Sequence, residues 1–421
     1  MTKSLSAAAL RAGEAVDGER LWASLMHLAQ FGARPDGGVE RHALSGADIA
    51  ARAWLIGEAE RRGFAVSVDD AANLWIRRAG RDGDADPVIA GSHMDSQPAG
   101  GRFDGALGVM AGLEALGALD DAGIVTERPI DVVAWTNEEG GRFDRGCTGS
   151  SVWSGAMELE DYLGDTGADG VRLGEALKAT LEATPGLARR PRRFAAHAYV
   201  ELHIEQGPVL EAEHLEIAAV TGIQGVRWLN VEIAGHGSHA GTTPMAVRRD
   251  AVQAAHRAIA ALNDLMADPD DVVRFTVGRF NVTPNSPNTV PERVAFTIDF
   301  RHPDKALLDQ RTARIAPLIA AAASPCTASV TPTLFMDPTP FPEAMIATIE
   351  TAARGLGHPV RRLASGAFHD ALYAALVCPA GMVFVPCRAG LSHHPDEWSE
   401  PGHCRAGARV LAASLASLAG A

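Results

Sequence analysis

The 421-residue sequence contains little cysteine, few aromatic residues and less positive than negative charge. Its five cysteines are scattered and odd in number, so neither a disulfide framework nor a Cys-x-x-Cys zinc site is expected. Lysine and arginine number 38 against 52 acidic residues, and the net charge of −14 argues against nucleic-acid binding. With no run of about 18 apolar residues, no membrane span is expected. The N-terminus lacks the apolar core of a signal peptide. Together with the scattered cysteines, this makes a reducing cytoplasm the expected location.

Aromatic side chains make up only 5% of the chain, and much of its apolar content is Ala, Val and Leu. This composition suits packed layers of helix and sheet, and the length allows roughly two to three domains. Short apolar runs such as Val88–Ala90 and Ile130–Ala134 predict strands that are buried on both faces. Helices are predicted over Ala106–Leu119 and Leu159–Leu181. The alternation predicts an α/β domain with a mixed, largely parallel sheet.

The pattern changes after about residue 220. The segment that follows combines alternating strands with long helices, at Trp228–Ile233, Asp250–Met266, Val272–Val277, Val294–Phe300, Asp304–Ala323 and a last strand near Ala328–Val330. These elements predict an inserted α+β sandwich over residues 221–333. The α/β domain would then consist of residues 1–220 and 334–421.

Histidine and acidic side chains follow several of the predicted strands, where each strand opens into a glycine-bearing loop. These residues are His93, Asp104, Glu138, Glu139, His203 and His393. Because ligands bind beyond the carboxyl ends of the strands in an open parallel sheet, we expect these side chains to meet. Three imidazoles and two carboxylates suit two zinc ions about 3.5–4 Å apart, with one carboxylate bridging them.

Three acidic residues invite more specific interpretations. Asp95 lies two residues after His93, and we expect its carboxylate to accept the free imidazole N–H and fix the tautomer. Glu138 and Glu139 point to opposite sides if strand geometry persists, so one would bind metal and the other would act as general base. Taken singly, a buried histidine or aspartate is more often a satisfied core residue. Several such clusters together favour a metallohydrolase.

The motifs around these residues resemble those of the dizinc amidohydrolases of the M20 peptidase superfamily. The resemblance is to the hydantoinase/carbamoylase branch, which contains N-carbamoyl-L-amino-acid hydrolases, β-ureidopropionases (β-alanine synthases) and allantoate amidohydrolases. The motifs are GSHMDSQPAGGRFDGALGV, WTNEEGGRF, AYVELHIEQGPVLE, GSHAGTTPM, TIDFRHP, SGAFHD and GLSHHPDEWS. The resemblance implies a zinc-peptidase-like catalytic domain and an inserted lid that also forms the interface of a homodimer.

The resemblance also implies a role for each candidate residue. The implied metal ligands are His93, Asp104 as the bridge, Glu139, His203 and His393, and the implied general base is Glu138. Substrate contacts fall on His239, Asn288 and Arg301 in the lid, and on Gln206 and His369 in the catalytic domain. Gln206 matches the residue that reads the ureido group. We expect His239 to stabilise an oxyanion and Arg301 to hold the substrate carboxylate.

The implied reaction is hydrolysis of the ureido C–N bond of an N-carbamoyl-amino acid, of the L-α or β-alanine type, to amino acid, carbon dioxide and ammonia. The expected cofactors are two divalent metal ions, zinc first, with Mn²⁺, Co²⁺ or Ni²⁺ as alternatives. Three other functions stay open: an allantoate amidohydrolase, a dipeptidase or aminoacylase of the wider superfamily, and a non-catalytic binding protein. The HIEQG segment disfavours the dipeptidase, and the presence of Glu138 beside all the ligands disfavours the binding protein.

Overall fold

The computed structural model describes residues 5–421, in which the chain divides into two compact units. The first unit consists of the residues up to Thr221 together with Phe341–Ala421, and the second is Gly222–Pro340. The chain returns to the first unit later than the expected residue 334. The cause is the last strand of the second unit, which runs over Thr327–Met336 and so extends well beyond the predicted Ala328–Val330.

In this range the helices are α1 (Ala7–Glu14), α2 (Gly18–Leu28), α3 (Gly46–Arg61), α4 (Ala106–Asp121), α5 (Thr148–Ser154), α6 (Leu173–Glu182), α7 (Val209–Ala212), α8 (Ala251–Met266), α9 (Lys305–Ala323), α10 (Glu343–Gly355), α11 (Ala371–Ala374) and α12 (Pro401–Leu418). The strands are β1 (Ala65–Val68), β2 (Leu74–Arg78), β3 (Val88–His93), β4 (Ile130–Trp135), β5 (Ala188–Arg189), β6 (Ala198–Ile204), β7 (Ile217–Ile223), β8 (Gly225–Ala234), β9 (Ser238–His239), β10 (Arg274–Thr283), β11 (Thr289–Val290), β12 (Arg293–His302), β13 (Thr327–Met336), β14 (Thr339–Pro340), β15 (Val360–Ser365) and β16 (Ala380–Val385). No helix within residues 5–421 combines the length and the hydropathy that crossing a membrane requires.

The first unit is built on a mixed sheet with strand order β7-β16-β6-β3-β4-β2-β1-β5, and β15 pairs with β7. Its four central strands, β16, β6, β3 and β4, are parallel, and antiparallel strands flank them. Every residue of these four strands is buried, as their continuous apolar runs predict. The predicted mixed α/β fold is therefore confirmed.

Helix α4 packs on the central strands and is buried continuously over Ala106–Leu119. Gly108 lets it come close, because a Cβ there would lie 2.6 Å from the main-chain oxygen of Leu202 and 2.7 Å from Cβ of Ser92. The helix predicted over Leu159–Leu181 is wrong in its first half. Only α6 is α-helical, because the segment before it contains Gly164, Gly167 and Gly170, which disfavour a helix interior.

The second unit is an antiparallel sheet with order β10-β12-β8-β13, which packs against α8 and α9. In β12 the side chains of Val294, Phe296, Ile298 and Phe300 alternate into the core, as the period of two predicts. Strands β9 and β11 form a separate two-stranded ladder.

Candidate metal centre

The parallel strands deliver polar side chains to one edge of the sheet. His93 is the last residue of β3, and His203 lies one residue before the end of β6. The Glu138–Glu139 pair follows β4, and His393 lies in the loop after β16. Because parallel strands in one sheet end at the same edge, residues far apart in the chain meet there.

Asp104 is the centre of this cluster, and its two carboxylate oxygens face different neighbours. Asp104 Oδ1 lies 3.1 Å from Nε2 of His203 and 3.6 Å from Nε2 of His93. Asp104 Oδ2 lies 3.4 Å from Nε2 of His393, which is also 3.2 Å from Oε2 of Glu139. Two groups of three metal-binding side chains therefore share Asp104. We call His93, Asp104 and His203 the buried half-site, and Asp104, Glu139 and His393 the exposed half-site, since the His393 side chain is 50% exposed.

In each of the two buried imidazoles, Nδ1 already has a hydrogen-bond partner on the main chain. Nδ1 of His93 lies 2.9 Å from the carbonyl oxygen of Asp95, and Nδ1 of His203 lies 2.9 Å from that of Ile204. A carbonyl oxygen can only accept, so both Nδ1 atoms carry hydrogen. Nε2 is then the position at which each ring exchanges a proton or binds a cation.

Asp95 plays a different part from the one that its position in the sequence suggests. Its carbonyl, not its carboxylate, accepts from the His93 ring, and the carboxylate lies 3.9 Å from Nδ1. The carboxylate instead accepts the backbone N–H groups of Glu138 and Glu139, each at 3.2 Å. The expected hydrogen bond from the His93 ring to the Asp95 carboxylate is not formed, because two adjacent N–H donors in the turn after β4 bond to both carboxylate oxygens. Asp95 thereby orders the Glu138–Glu139 turn.

A glycine makes room for the first histidine. Gly105 has φ of +62°, and a Cβ on it would lie 2.4 Å from three atoms of the His93 ring. The left-handed backbone and the ring contact both require a residue without a side chain. The turn that presents Asp104 therefore depends on Gly105.

Burial and neighbouring charged groups shift the pKa values of several residues in the cluster. Burial opposes ionisation of Asp104, but hydrogen bonds from His203 and His93 hold its pKa well below the usual range. Burial raises the pKa of Glu138 well above the usual range, although the nearby His93 opposes this shift. Hydrogen bonding to Glu139 raises the pKa of His393 to about 9. Protons on histidine thus occupy positions between carboxylates that a cation could take.

Glu138 is placed to exchange protons with this cluster. Its side chain is 9% exposed, and Oε2 lies 3.4 Å from Nε2 of His93. Its Oε1 lies 3.6 Å from the thiol sulfur of Cys147. A carboxyl that is only 9% exposed and has a raised pKa, beside the candidate ligands, has the properties of a general base.

Two predicted substrate residues lie in the first unit. Gln206 donates its amide N–H groups to Asp104 Oδ2 at 2.8 Å and to the Ser392 hydroxyl at 3.2 Å. Its carbonyl Oε1 is buried and has no hydrogen-bond partner within residues 5–421. His369 is buried, its Nε2 lies 2.8 Å from the Ser365 hydroxyl, and its ring centre is 4.4 Å from that of His203. Burial and the neighbouring His203 lower the pKa of His369 well below the usual range, so the ring is neutral.

The other three predicted substrate residues belong to the second unit. His239 and Asn288 are brought together, because Ala240 N–H donates to the Asn288 carbonyl at 2.9 Å and His239 pairs with Thr289 across the β9–β11 ladder. Both side chains are exposed. Arg301 lies near the end of β12, and its guanidinium donates to the Asp299 carboxylate at 2.8 and 2.9 Å.

The sequence analysis missed two residues of the cluster, Ser392 and Glu397. The Ser392 hydroxyl lies 2.7 Å from Asp104 Oδ2 and 2.9 Å from Glu397. Glu397 is buried and accepts the backbone N–H of Asp104 at 3.1 Å. Burial and the charge of Asp104 raise the pKa of Glu397 to about 7. Both residues stand in the quoted GLSHHPDEWS motif, which was the available signal.

Comparison with known proteins bears directly on this cluster. The model of peptidase family M20/M25/M40 matches residues 89–417. The N-carbamoyl-L-amino-acid amidohydrolase of Rhizobium meliloti is 40% identical over 401 residues, which cover 94% of this chain and 95% of that protein. The allantoate amidohydrolase of Bacillus subtilis (strain 168) is 33% identical over 394 residues, with 93% and 95% covered. The crystal structure of an amidase of the hydantoinase/carbamoylase family from Burkholderia multivorans superposes with a TM-score of 0.91 at 45% identity, covering 96% of this chain and 98% of that chain.

Proposed function

Because this chain belongs to peptidase family M20/M25/M40, we propose that it hydrolyses the ureido C–N bond of N-carbamoyl-amino acids, of the L-α or β-alanine type. One water molecule is consumed, and the products are the amino acid, carbon dioxide and ammonia. The relative from Rhizobium meliloti, 40% identical, supports this substrate class, since it is named for N-carbamoyl-L-amino acids. The 33% identical relative named for allantoate supports a second candidate substrate.

The observation that carries the proposal is the division of the Asp104 carboxylate between two donor groups. Each group contains at least one imidazole whose Nε2 lies within 3.6 Å of an Asp104 oxygen. Nitrogen and carboxylate oxygen donors in sets of three fit Zn²⁺, and sets of three leave a position open for water or substrate. His93, Asp104 and His203 would hold one ion, and Asp104, Glu139 and His393 the other. Mn²⁺, Co²⁺ and Ni²⁺ are the alternatives for these donors.

Bound divalent cations supply Lewis-acid polarisation of the substrate carbonyl and lower the pKa of a water molecule. The residues of the chain supply the proton transfers. Glu138 takes a proton from the attacking water at its carboxylate and passes it to the leaving nitrogen. Burial raises the pKa of Glu138 above the usual carboxyl range, which favours proton uptake from the attacking water.

The hydrogen bonds of Gln206 favour a ureido substrate over a peptide substrate. Its N–H groups are engaged by Asp104 and Ser392, which leaves the buried Oε1 as an acceptor that needs a donor. The terminal –NH₂ of a carbamoyl group supplies such a donor, whereas the carbon at the same position of a peptide substrate does not. A neutral His369 beside His203 completes this side of the proposed substrate site without adding charge.

The second unit is proposed to act as the lid and as the interface of a homodimer. His239 would donate to the developing oxyanion, Asn288 would bind the substrate, and Arg301 would bind its carboxylate in a bidentate pair. The exposed side chains of His239 and Asn288 support this role. For the homodimer, the support is that β10 and β13 are the edge strands of the four-stranded sheet, since an edge strand can pair with a second copy. All five cysteines are free, which fits the proposed cytoplasmic location.

The test is ammonia release from purified, zinc-loaded protein supplied with N-carbamoyl-L-amino acids, N-carbamoyl-β-alanine, allantoate or a dipeptide. We expect the highest kcat/KM with an N-carbamoyl-amino acid and its loss in Glu138→Gln. Preference for allantoate would select the second candidate. Cleavage of the dipeptide with no release of ammonia from any ureido substrate would refute the proposal.

A further inference from the structure

Glu397 joins two loops that carry different candidate ligands. Its Oε1 accepts the backbone N–H groups of Phe103 at 2.9 Å and Asp104 at 3.1 Å. Its Oε2 lies 2.9 Å from the hydroxyl of Ser392, the residue before His393. One side chain, 2% exposed, thus connects the loop of the shared aspartate to the loop of the exposed half-site.

The surrounding backbone is shaped to admit this carboxylate. A Cβ on Gly101 would lie 2.1 Å from Oε1 of Glu397, a distance that neither group could keep. The three donors converge on a single buried carboxylate, which is the usual way to compensate a charge removed from water. Glu397 is therefore held in a defined position and does not merely fill space.

Ser392 has one hydroxyl proton and two carboxylates within reach. Its oxygen is 2.9 Å from Glu397 Oε2 and 2.7 Å from Asp104 Oδ2, and it also accepts from Gln206 at 3.2 Å. A hydroxyl donates one hydrogen, so it can serve only one carboxylate at a time. When the proton points to Glu397, a lone pair on Asp104 Oδ2 becomes free in the exposed half-site.

We propose that Glu397 is the positioning residue of the exposed half-site. It fixes Asp104 relative to His393 and accepts the hydrogen bond of the Ser392 hydroxyl, so that Asp104 Oδ2 can bind a divalent cation. This inference rests on the proposed pair of metal ions. It extends that proposal by giving the two half-sites different supports, since apart from the shared Asp104 loop the contacts of Glu397 lead to the loop of His393 and not to His93 or His203.

Glu397→Gln tests the inference with little change of shape. An amide can still accept from Phe103 and Asp104, but the –NH₂ opposite Ser392 donates, so the hydroxyl must turn to Asp104 Oδ2. We expect the affinity of the exposed half-site for Zn²⁺ to fall about 10–100-fold, the usual effect of removing a group that supports a metal ligand. The buried half-site should keep its affinity. Chelator-stripped protein titrated with ZnCl₂ by calorimetry gives both constants.

Two ligand variants identify the half-sites. In a His203→Ala background, which weakens the buried half-site, Glu397→Gln should reduce the remaining affinity tenfold or more. In a His393→Ala background it should change the remaining affinity less than twofold. Glu114→Gln is the matched control, because Glu114 is also 2% exposed but bonds to Arg20 and the Asp17 N–H. It should leave both zinc constants unchanged.

Equal weakening of both half-sites, or wild-type affinity at both, would overturn the inference. If Glu397→Gln does not fold, Glu397→Asp replaces it: this variant keeps the charge but withdraws the carboxylate by one methylene, and the same selective loss is required. Wild-type protein that binds fewer than two zinc ions would overturn the proposed pair of metal ions, and this inference with it. The two failures are thus distinguished by the wild-type titration.

Discussion

Replacing Gly105 by alanine should damage the protein in two separable ways. The residue has φ of +62°, and an alanine in the left-handed region costs roughly 1–2 kcal/mol. The new Cβ would also lie 2.4 Å from atoms of the His93 ring, and forcing a side chain into a packed site costs typically about 1–3 kcal/mol. We therefore expect the free energy of unfolding to fall by about 2–5 kcal/mol in metal-free protein.

Gly123 provides the matched control for this substitution. Its φ is +63°, and a Cβ on it would meet nothing within 4 Å. Gly123→Ala should therefore show the backbone cost alone, about 1–2 kcal/mol, with unchanged zinc binding and turnover. Gly105→Ala should additionally displace His93, and a displacement of about 1 Å at a reacting centre can lower kcat about 100-fold.

Urea unfolding and ammonia release, measured on both variants and the wild type, supply the comparison. The difference between the two variants reports the collision with His93, because the two glycines have nearly the same positive φ, +62° and +63°. If Gly105→Ala matched Gly123→Ala in unfolding free energy, zinc binding and kcat, the role assigned to Gly105 in positioning His93 would be refuted.

Three further predictions concern individual side chains. Glu138→Gln should retain two equivalents of zinc by elemental analysis while kcat falls roughly 10²–10⁴-fold, the usual contribution of a general base, and near-normal turnover would exclude Glu138 from that role. The pKa of His393 is raised to about 9, so at pH 7 zinc must displace close to one proton from this residue. Zinc affinity should therefore rise with pH up to about 9. Calorimetry in buffers of different ionisation enthalpy should detect the released proton, and its absence would contradict the prediction. Arg301→Ala should raise KM for an N-carbamoyl-amino acid but hardly change it for the carboxyl-amidated analogue, and equal effects on both would make Arg301 a structural residue.

The strand ends that carry the candidate ligands are predictable because of where the strands lie. A strand buried on both faces is a continuous apolar run, and it stops where polar residues begin, as Trp135 gives way to the turn before Glu138. The motifs along these ends also identified the family, and the match over residues 89–417 confirms it. Helix α12 was not predicted, because it is buried on nearly all sides and lacks the alternation that marks an amphipathic helix.

Side-chain contacts between distant segments were harder to predict. Glu397 reaches the backbone of Asp104 across 293 positions in sequence, and no local pattern encodes that meeting. Asp95 lies beside the cluster, yet which of its oxygens meets His93 depends on the turn after β4. Composition and periodicity locate a residue at an edge of the sheet, whereas its hydrogen-bond partners depend on the folded backbone.

The strand order of the first unit has a consequence for how the chain folds during its synthesis. Strand β16 lies between β7 and β6 in the sheet, but in the chain it follows the entire second unit. A growing chain therefore completes Gly222–Pro340 while the centre of the first sheet still lacks a strand. During that interval β6 has an unpaired edge, which can attract other chains or a chaperone. His393 is synthesised only after β16, so the last ligand of the exposed half-site and the closure of the sheet come from the same late stretch of translation.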